Sequence, residues 1–516
     1  MPLFPRKDRR FGVLYDVHAW IGVLVGLVLY VMFFTGALAV AHGPLQAWQE
    51  PAHHAPAAGD PDRWLAELGA LAPVAPERVF LTLPAPDEGH RAPTAFVIYP
   101  DGREARLVYV AGAWAPLATR VAELLFNLHF LWHDDIPLLY DLAGVSCIAF
   151  LLAVVTGVAI HLRDLVPQLQ RFRPELPPRL AWADLHKITG VVGLPFQVFF
   201  AYTGAFMVFS GTTFSAVSGW MYDGNEDRAR LVAYGPDAPA VVLSEGTPGA
   251  VSSARWLTSA EAALPGLQPT RIDVRHPGQP SARVVIEGHL PGEPGEFEVT
   301  VEGATARVLA AEGPGELAPA EVAERWVYGV HFAWFGGWGV RAAYAVLGFA
   351  TCAMLLTGNG LWLARRRREA DSVSNRLLAR LTIGVAAGTP LAIAATLLAS
   401  RLLPWGLLGR HYWEQGAFVA ALAASCMWAG LASSERDVWW RQLGLAAALC
   451  ALVPVAQAGV TDAGLLGERS DAHVVAVDIG LLVSAAVLAA IAWGLARRSG
   501  VSADAADRPA AARESA

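Results

Sequence analysis

Two stretches decide the fold: His18-Ala19-Trp20-Ile21-Gly22, followed by Thr35-Gly36, and His186-Lys187-Ile188-Thr189-Gly190, followed by Thr203-Gly204. In both, Gly stands four residues after His, and Thr-Gly stands seventeen and eighteen residues after it. Each lies in an apolar run long enough for a membrane helix, which needs roughly 20 residues. A second pair obeys the same logic. His129-Phe130-Leu131-Trp132 precedes an apolar run ending in Thr156-Gly157, and His331-Phe332-Ala333-Trp334 precedes one ending in Thr357-Gly358, the two spacings differing by one residue. A helix–segment–helix unit thus occurs twice in the same orientation, as in parallel repeats related by an axis along the membrane normal.

Composition agrees with a membrane protein. Of 516 residues, 54% are hydrophobic and 16% charged, against about a quarter charged in soluble domains; the mean hydropathy is +0.38. Apolar stretches near 12–41, 141–162, 185–209, 339–363, 379–400, 413–433, 439–459 and 473–495 predict eight spans, with Pro195 and Pro454 inside the third and seventh. Membrane helices tolerate such prolines. The first run follows Arg6, Lys7, Arg9 and Arg10 like a signal peptide. It is too long for that and lacks a convincing cleavage site, so it is read as a retained anchor. Cys147, Cys352, Cys426 and Cys450 lie far apart in apolar runs with no C-x-x-C. Buried, inert thiols are expected rather than a disulfide framework, a zinc site or a tethered c-type haem.

Basic residues fix the expected orientation. The N-terminus, the loop with Arg163, Arg171, Arg173 and Arg179, the loop with Arg365, Arg366, Arg367, Arg368, Arg376 and Arg380, the loop with Arg436 and Arg441, and Arg497 and Arg498 alternate with short loops holding only Arg401, Arg410 and Arg469. By the positive-inside rule both termini are cytoplasmic. The long segments near 43–128 and 211–330 then lie outside. Each reads as a small α+β module. The first has a helix around Arg63–Leu71 and strands at Arg78–Leu83, Ala95–Tyr99 and Ala105–Val110, with Pro100-Asp101-Gly102 as a turn. The second has a helix at Ser259–Leu264 and strands at Thr270–Arg275, Ala282–Glu287, Glu296–Val301 and Ala306–Leu309. Alternating apolar residues bounded by turn formers carry these assignments. The full division is 1–42 (tail and first span), 43–128, 129–163 (second span), 164–184 (cytoplasmic loop), 185–210 (third span), 211–330, 331–368 (fourth span), 369–498 (four further spans) and 499–516 (a disordered tail).

Ionisable groups at membrane depth are costly and mark function. His18, His161 and His186 are expected near the cytoplasmic face, and His42, His129, His133 and His331 near the outer one. His18 and His42 would stand about 36 Å apart on one helix, too far for one metal centre. The repeat pairs His18 with His186 and His129 with His331. Two imidazoles on facing helices can supply both axial ligands of a b-type haem. Gly36, Gly157, Gly204 and Gly358 fall at the level of the opposite histidines, where a missing side chain admits a macrocycle or a close helix. A lone interfacial His is as often a capping or snorkelling residue as a ligand; the repeat is what favours ligation here. His161, His42 and His133 break the symmetry and stand as alternative ligands or hydrogen-bond partners. His53, His54, His90, His276 and His289 are expected in solvated modules, and His411 and His473 carry no assignment.

At these residues the chain resembles the PepSY-associated transmembrane helix family, on His18…Thr35-Gly36, His129…Thr156-Gly157, His186…Thr203-Gly204 and His331…Thr357-Gly358, with a PepSY-like module in each outer loop. The resemblance covers roughly 11–368. It implies haem b, two groups in all, with His18, His186, His129 and His331 as iron ligands. It also implies an inner-membrane iron-acquisition enzyme, a ferric-siderophore reductase with periplasmic modules. The partners implied are a ferric siderophore or other ferric chelate and the lipid bilayer, with no nucleic acid. No Gly-rich nucleotide fingerprint opens a βαβ unit, so quinol or a separate reductase is the expected electron donor. Two other classes compete. The modules resemble protease propeptide segments and could restrain a periplasmic protein, and parallel repeats with eight spans suit a transporter. Against the transporter, the spans hold almost no Asp, Glu or Lys, Asp478 being the main exception.

Overall fold

The structure, a computed structural model, describes residues 9–506 except 51–58, 72–73, 86–91, 134–135, 162–172, 174–176, 235–250, 280, 294, 316, 370–371 and 469–470. His53, His54, His90, Arg163, Arg171 and Arg469 lie outside the described residues. The chain divides into a helical unit (residues 1–42, 119–208 and 344–516) and a second unit that carries the sheet (residues 43–118 and 209–343).

In the helical unit the long apolar segments become α1 (Arg9–Ala39), α5 (Leu138–His161), α7 (Leu194–Met221) and α11 (Gly337–Glu369), then α12 (Val373–Ala386), α13 (Gly388–Leu402), α14 (Arg410–Leu431), α15 (Glu435–Thr461) and α16 (Ala472–Ala506). The short helix α4 (Val121–His129) precedes α5, while α2 (His42–Gln49) falls, apart from His42, in the second unit. Among the described residues seven segments are long and apolar enough to cross a membrane, with α12 and α13 counted as one from Val373 to Leu402. This is a multi-pass membrane protein. The stretch near 413–433, expected as the sixth of eight spans, forms α14, which opens with Arg410 and contains Glu414 and is not among those seven.

The third span is not one helix. It breaks at Gly193 into α6 (Pro178–Val192) and α7. Pro195 lacks the N–H that would continue the ladder. The Gln197 side chain instead donates to the Thr189 carbonyl at 3.2 Å, and a Cβ on Gly193 would stand 2.6 Å from that amide. Pro454, by contrast, sits within a continuous α15. The core between α1, α5, α7 and α11 is built from Leu29, Phe33, Phe150, Val154 and Leu355. Tyr30 donates to the Ala386 carbonyl at 2.8 Å, tying α1 to α12. All four cysteines are free thiols.

The second unit modifies the reading of two separate modules. Helix α3 (Pro61–Ala70) leads into β1 (Arg78–Thr82), β2 (Thr94–Ile98), β3 (Glu104–Val110) and β4 (Ala113–Pro116). Helix α9 (Ser253–Ala263) leads into β5 (Gln268–Arg275), β6 (Arg283–His289), β7 (Glu296–Glu302) and β8 (Val308–Ala311). The eight strands form one antiparallel sheet, ordered β4-β3-β2-β1-β5-β6-β7-β8. Its halves join where β1 pairs with β5, Leu81 opposite Ile272. Trp64 of α3 and Trp256 of α9, each in an Arg-Trp-Leu triplet, enter one core with Leu81, Ile272, Val284, Ile286, Val299 and Val301. Asp273, 1% exposed, takes two hydrogen bonds from Arg78 at 2.9 and 2.7 Å and one from Arg275. Such bidentate pairing offsets part of the cost of burying a carboxylate. Helices α8 (Glu226–Tyr234) and α10 (Pro319–His331) complete the unit.

Glu312, just beyond β8, makes the unit sensitive to pH. Burial first, and the neighbouring Glu298 second, push its carboxyl up from 4.5 to about 7, against the opposing pull of Arg325. A raised folded-state value means that the stabilising neutral form is complete below 4.5 and is lost as pH rises through 7. Thermal stability of the full chain in detergent is therefore expected to fall as pH rises across that window, and Glu312→Gln to flatten the dependence. An unchanged slope in the variant would contradict this origin.

Candidate cofactor site

Three of the four repeat histidines meet the helices in one way. The Nδ1–H of His18 donates to the Ala153 carbonyl of α5 at 2.8 Å. That of His129 donates to the Met32 carbonyl of α1 at 2.7 Å, and that of His186 to the Met354 carbonyl of α11 at 2.8 Å. In each case Thr follows the acceptor by three residues and Gly by four: Thr156-Gly157, Thr35-Gly36 and Thr357-Gly358. The Thr hydroxyl donates to the same carbonyl, at 2.9 Å from Thr156, 3.3 Å from Thr35 and 2.9 Å from Thr357. The Gly makes room for the ring. A Cβ would stand 2.5 Å from His129 at Gly36, 3.0 Å from His18 at Gly157 and 3.1 Å from His186 at Gly358. The Thr-Gly pair is thus a socket for an imidazole arriving from another helix.

The socket determines the chemistry of the ring. A carbonyl only accepts, so Nδ1 carries the proton and, in the neutral imidazole, the lone pair is left on Nε2. A backbone partner on the far nitrogen is how metal-ligating histidines are oriented. His18 and His186 then face a common space. Their ring centroids are 6.2 Å apart with planes at 81°. Two imidazoles sharing one metal, with bonds of about 2 Å each, would show about this separation.

They line a cavity of about 760 Å³ that also touches Gly157, Gly358 and His161, within the range of roughly 300–1,000 Å³ for cofactor pockets. Phe150, Val154 and Leu355 supply apolar wall, and Asp16, Arg179, Lys187, Arg365 and Arg366 also line it. Arg366 stands 5.2 Å over both Trp20 and Trp362, and Arg365 5.2 Å over Tyr15. Asn359, 2% exposed, lines the cavity too and holds a buried Nδ2 with no hydrogen-bond partner. An apolar cavity between two facing imidazoles, with guanidinium groups and an orphan donor in its lining, would suit a haem. Among the described residues no group of three or more His, Cys, Asp or Glu could hold a bare metal ion.

The remaining site residues fall elsewhere. His331 ends α10 in the sheet-bearing unit, its ring 5.6 Å from Phe332. The turn after it repeats that after His129. Leu131 and Ala333 both adopt φ 56°, and Trp132 and Trp334 bond back five residues to Asn127 and Gly329, a helix-ending motif normally given to Gly. The fourth Thr-Gly pair differs: a Cβ on Gly204 would stand 2.8 Å from Cys147 Sγ, while Thr203 donates to Phe199 at 2.9 Å. His42 opens α2, its ring 5.3 Å from Phe126, with a buried Nε2 that has no hydrogen-bond partner. His133 is exposed. His289 lies 5.2 Å from Trp334.

One buried cluster escaped the sequence. Arg401 and Arg410, read there as loop charges, end α13 and open α14 and are 1% and 2% exposed, with Glu414 at 1%. They flank Trp405, at 5.3 and 4.1 Å from its ring. The available signal was the i, i+4 spacing of Arg410 and Glu414.

Glycine substitutions test the socket. A methyl group at Gly36 must push His129 off its acceptor and costs about 1–3 kcal/mol as overpacking. Alanine regains about 1 kcal/mol of helix propensity over glycine. Gly36→Ala is thus expected to lower the melting temperature, while Gly157→Ala and Gly358→Ala, with more room, stay near neutral. The reverse order would contradict the socket geometry.

Comparison with known proteins agrees with this architecture. Residues 15–365 match the family described as the PepSY-associated TM region. An uncharacterised protein of Pseudomonas aeruginosa is 30% identical over 392 residues, which cover 73% of this chain and 95% of that protein. The matched span begins just before His18 and ends just after Trp362, enclosing both helix pairs and the whole sheet. The chain belongs to the PepSY-associated transmembrane family.

Proposed function

We propose that this protein is a b-type haem oxidoreductase of the bacterial inner membrane that passes electrons to a periplasmic ferric siderophore or other ferric chelate. The single observation behind the reading is the socket. Three imidazoles on different helices are each fixed through Nδ1, and two of them bound one apolar cavity with basic residues in its lining. His18 and His186 would hold one haem there. The sequence repeat also offers His129 and His331 as further ligand candidates.

Haem in such a site supplies one-electron transfer, the chemistry that reduction of ferric iron requires. The chain's own residues do the rest. Nδ1–H bonds to Ala153 and Met354 hold the two rings in the ligating tautomer. Phe150, Val154 and Leu355 would exclude water, and Arg179, Arg365 and Arg366 would hold the cofactor's carboxylates. The alternation of basic loops supports cytoplasmic termini and a periplasmic sheet unit. In that orientation the His18–His186 cavity lies on the cytoplasmic side, where quinol or a separate reductase would deliver electrons.

The test is the visible spectrum of the purified protein. A Soret band with low-spin b-type α-band is expected, reduced by part of its intensity in His18→Ala or His186→Ala and by another part in His129→Ala or His331→Ala. A protein without a Soret band, or one indifferent to all four substitutions, would sink the reading.

A further inference from the structure

Helix α4 ends in His129 but has no cap of its own. Its N-cap residue is Arg120, with no side-chain cap hydrogen bond, and a nine-residue helix is marginal without outside support. That support comes from a residue nearly three hundred positions later. Glu414 Oε1 accepts from Thr119 Oγ1 at 2.6 Å, and Oε2 accepts from the Arg120 backbone N–H at 3.1 Å. A carboxylate at this end also suits the helix dipole. The carboxylate is held in turn. Arg410 Nη1 lies 3.9 Å from it, and the same guanidinium donates to the Ser400 carbonyl. Arg401 donates to Ser400 Oγ and Gln457 Oε1, each at 2.9 Å. Thr119, Ser400 and Gln457 are fully buried. Helices α13, α14 and α15 are thereby bound into one polar network whose output is the start of α4.

We infer that Glu414 is a positioning residue for His129, and that holding this helix is what the helices after residue 369 contribute to the site. The Gly36 socket leaves the His129 ring almost no slack, so a shift at the start of α4 is carried down the helix to the imidazole. The redox part of this inference rests on the proposed haem function; the clamp itself does not.

The experiment compares full-length wild type with Glu414→Gln, Glu414→Ala and Glu414→Asp in detergent. Amide exchange over Val121–His129 is expected to quicken roughly tenfold or more in the alanine variant, the scale of a lost charge-assisted hydrogen bond, with Glu414→Asp restoring part of the protection. In the same samples, the low-spin electron paramagnetic resonance signal that His129→Ala abolishes is expected to shift, and the one that His18→Ala abolishes to stay. Unchanged exchange in Glu414→Ala overturns the inference. So does an equal shift of both signals, which would mark a general packing role. If the wild type holds no haem, the proposed function has failed, and exchange alone decides the clamp.

Discussion

The molecule depends on one short hydrogen bond made three times: an imidazole N–H reaching a main-chain carbonyl that already serves a helix. Such a carbonyl is normally shielded by the side chain four residues on. Glycine at that position removes the shield, and threonine one residue earlier caps the same oxygen from the other side. The bond fixes the tautomer, the tautomer leaves Nε2 as a lone-pair donor, and the helix positions follow from bringing ring and socket together. Each socket lies on a different helix from its histidine, so the interactions that orient the rings also pack α1 on α4 and α5, and α6 on α11.

Duplication supplies the second half of the design. Two helix pairs running in the same sense place His18 and His186 against each other around one cavity. The repeat extends into the sheet, where each half brings a helix with an Arg-Trp-Leu triplet and four strands. The halves then depart from symmetry where function would need it. Asn359 in the second repeat stands in place of Val158 in the first, and Trp362 faces the cavity where the first repeat has His161.

Much of this was legible in the chain. The spacing of His, Thr and Gly identified both helix pairs, because a fixed interval on a helix is a fixed depth. Seven predicted strands were found because alternation and turn residues mark them; β4 was missed because Gly112 and Pro116 at its ends read as loop. The joining of the modules left no signal, since β1 and β5 pair through backbone groups that every residue carries. The acceptors of the sockets were silent for the same reason: Ala153, Met32 and Met354 contribute carbonyls, not side chains. Arg401 and Arg410 were misplaced because a charge between two apolar runs reads as a loop, whereas Trp405, Ser400 and Glu414 fold over them. Gly193 and Pro195 gave a sign of the break in the third span that hydropathy alone overrode.

The claim on which the account stands is that these imidazoles are iron ligands. Pyridine haemochrome quantification against polypeptide, on protein purified from haem-supplied cells, addresses it directly. Haem b at two per chain is expected, falling to about one in His18→Ala. A preparation with no haemochrome would contradict it and leave the sockets as helix-packing devices alone.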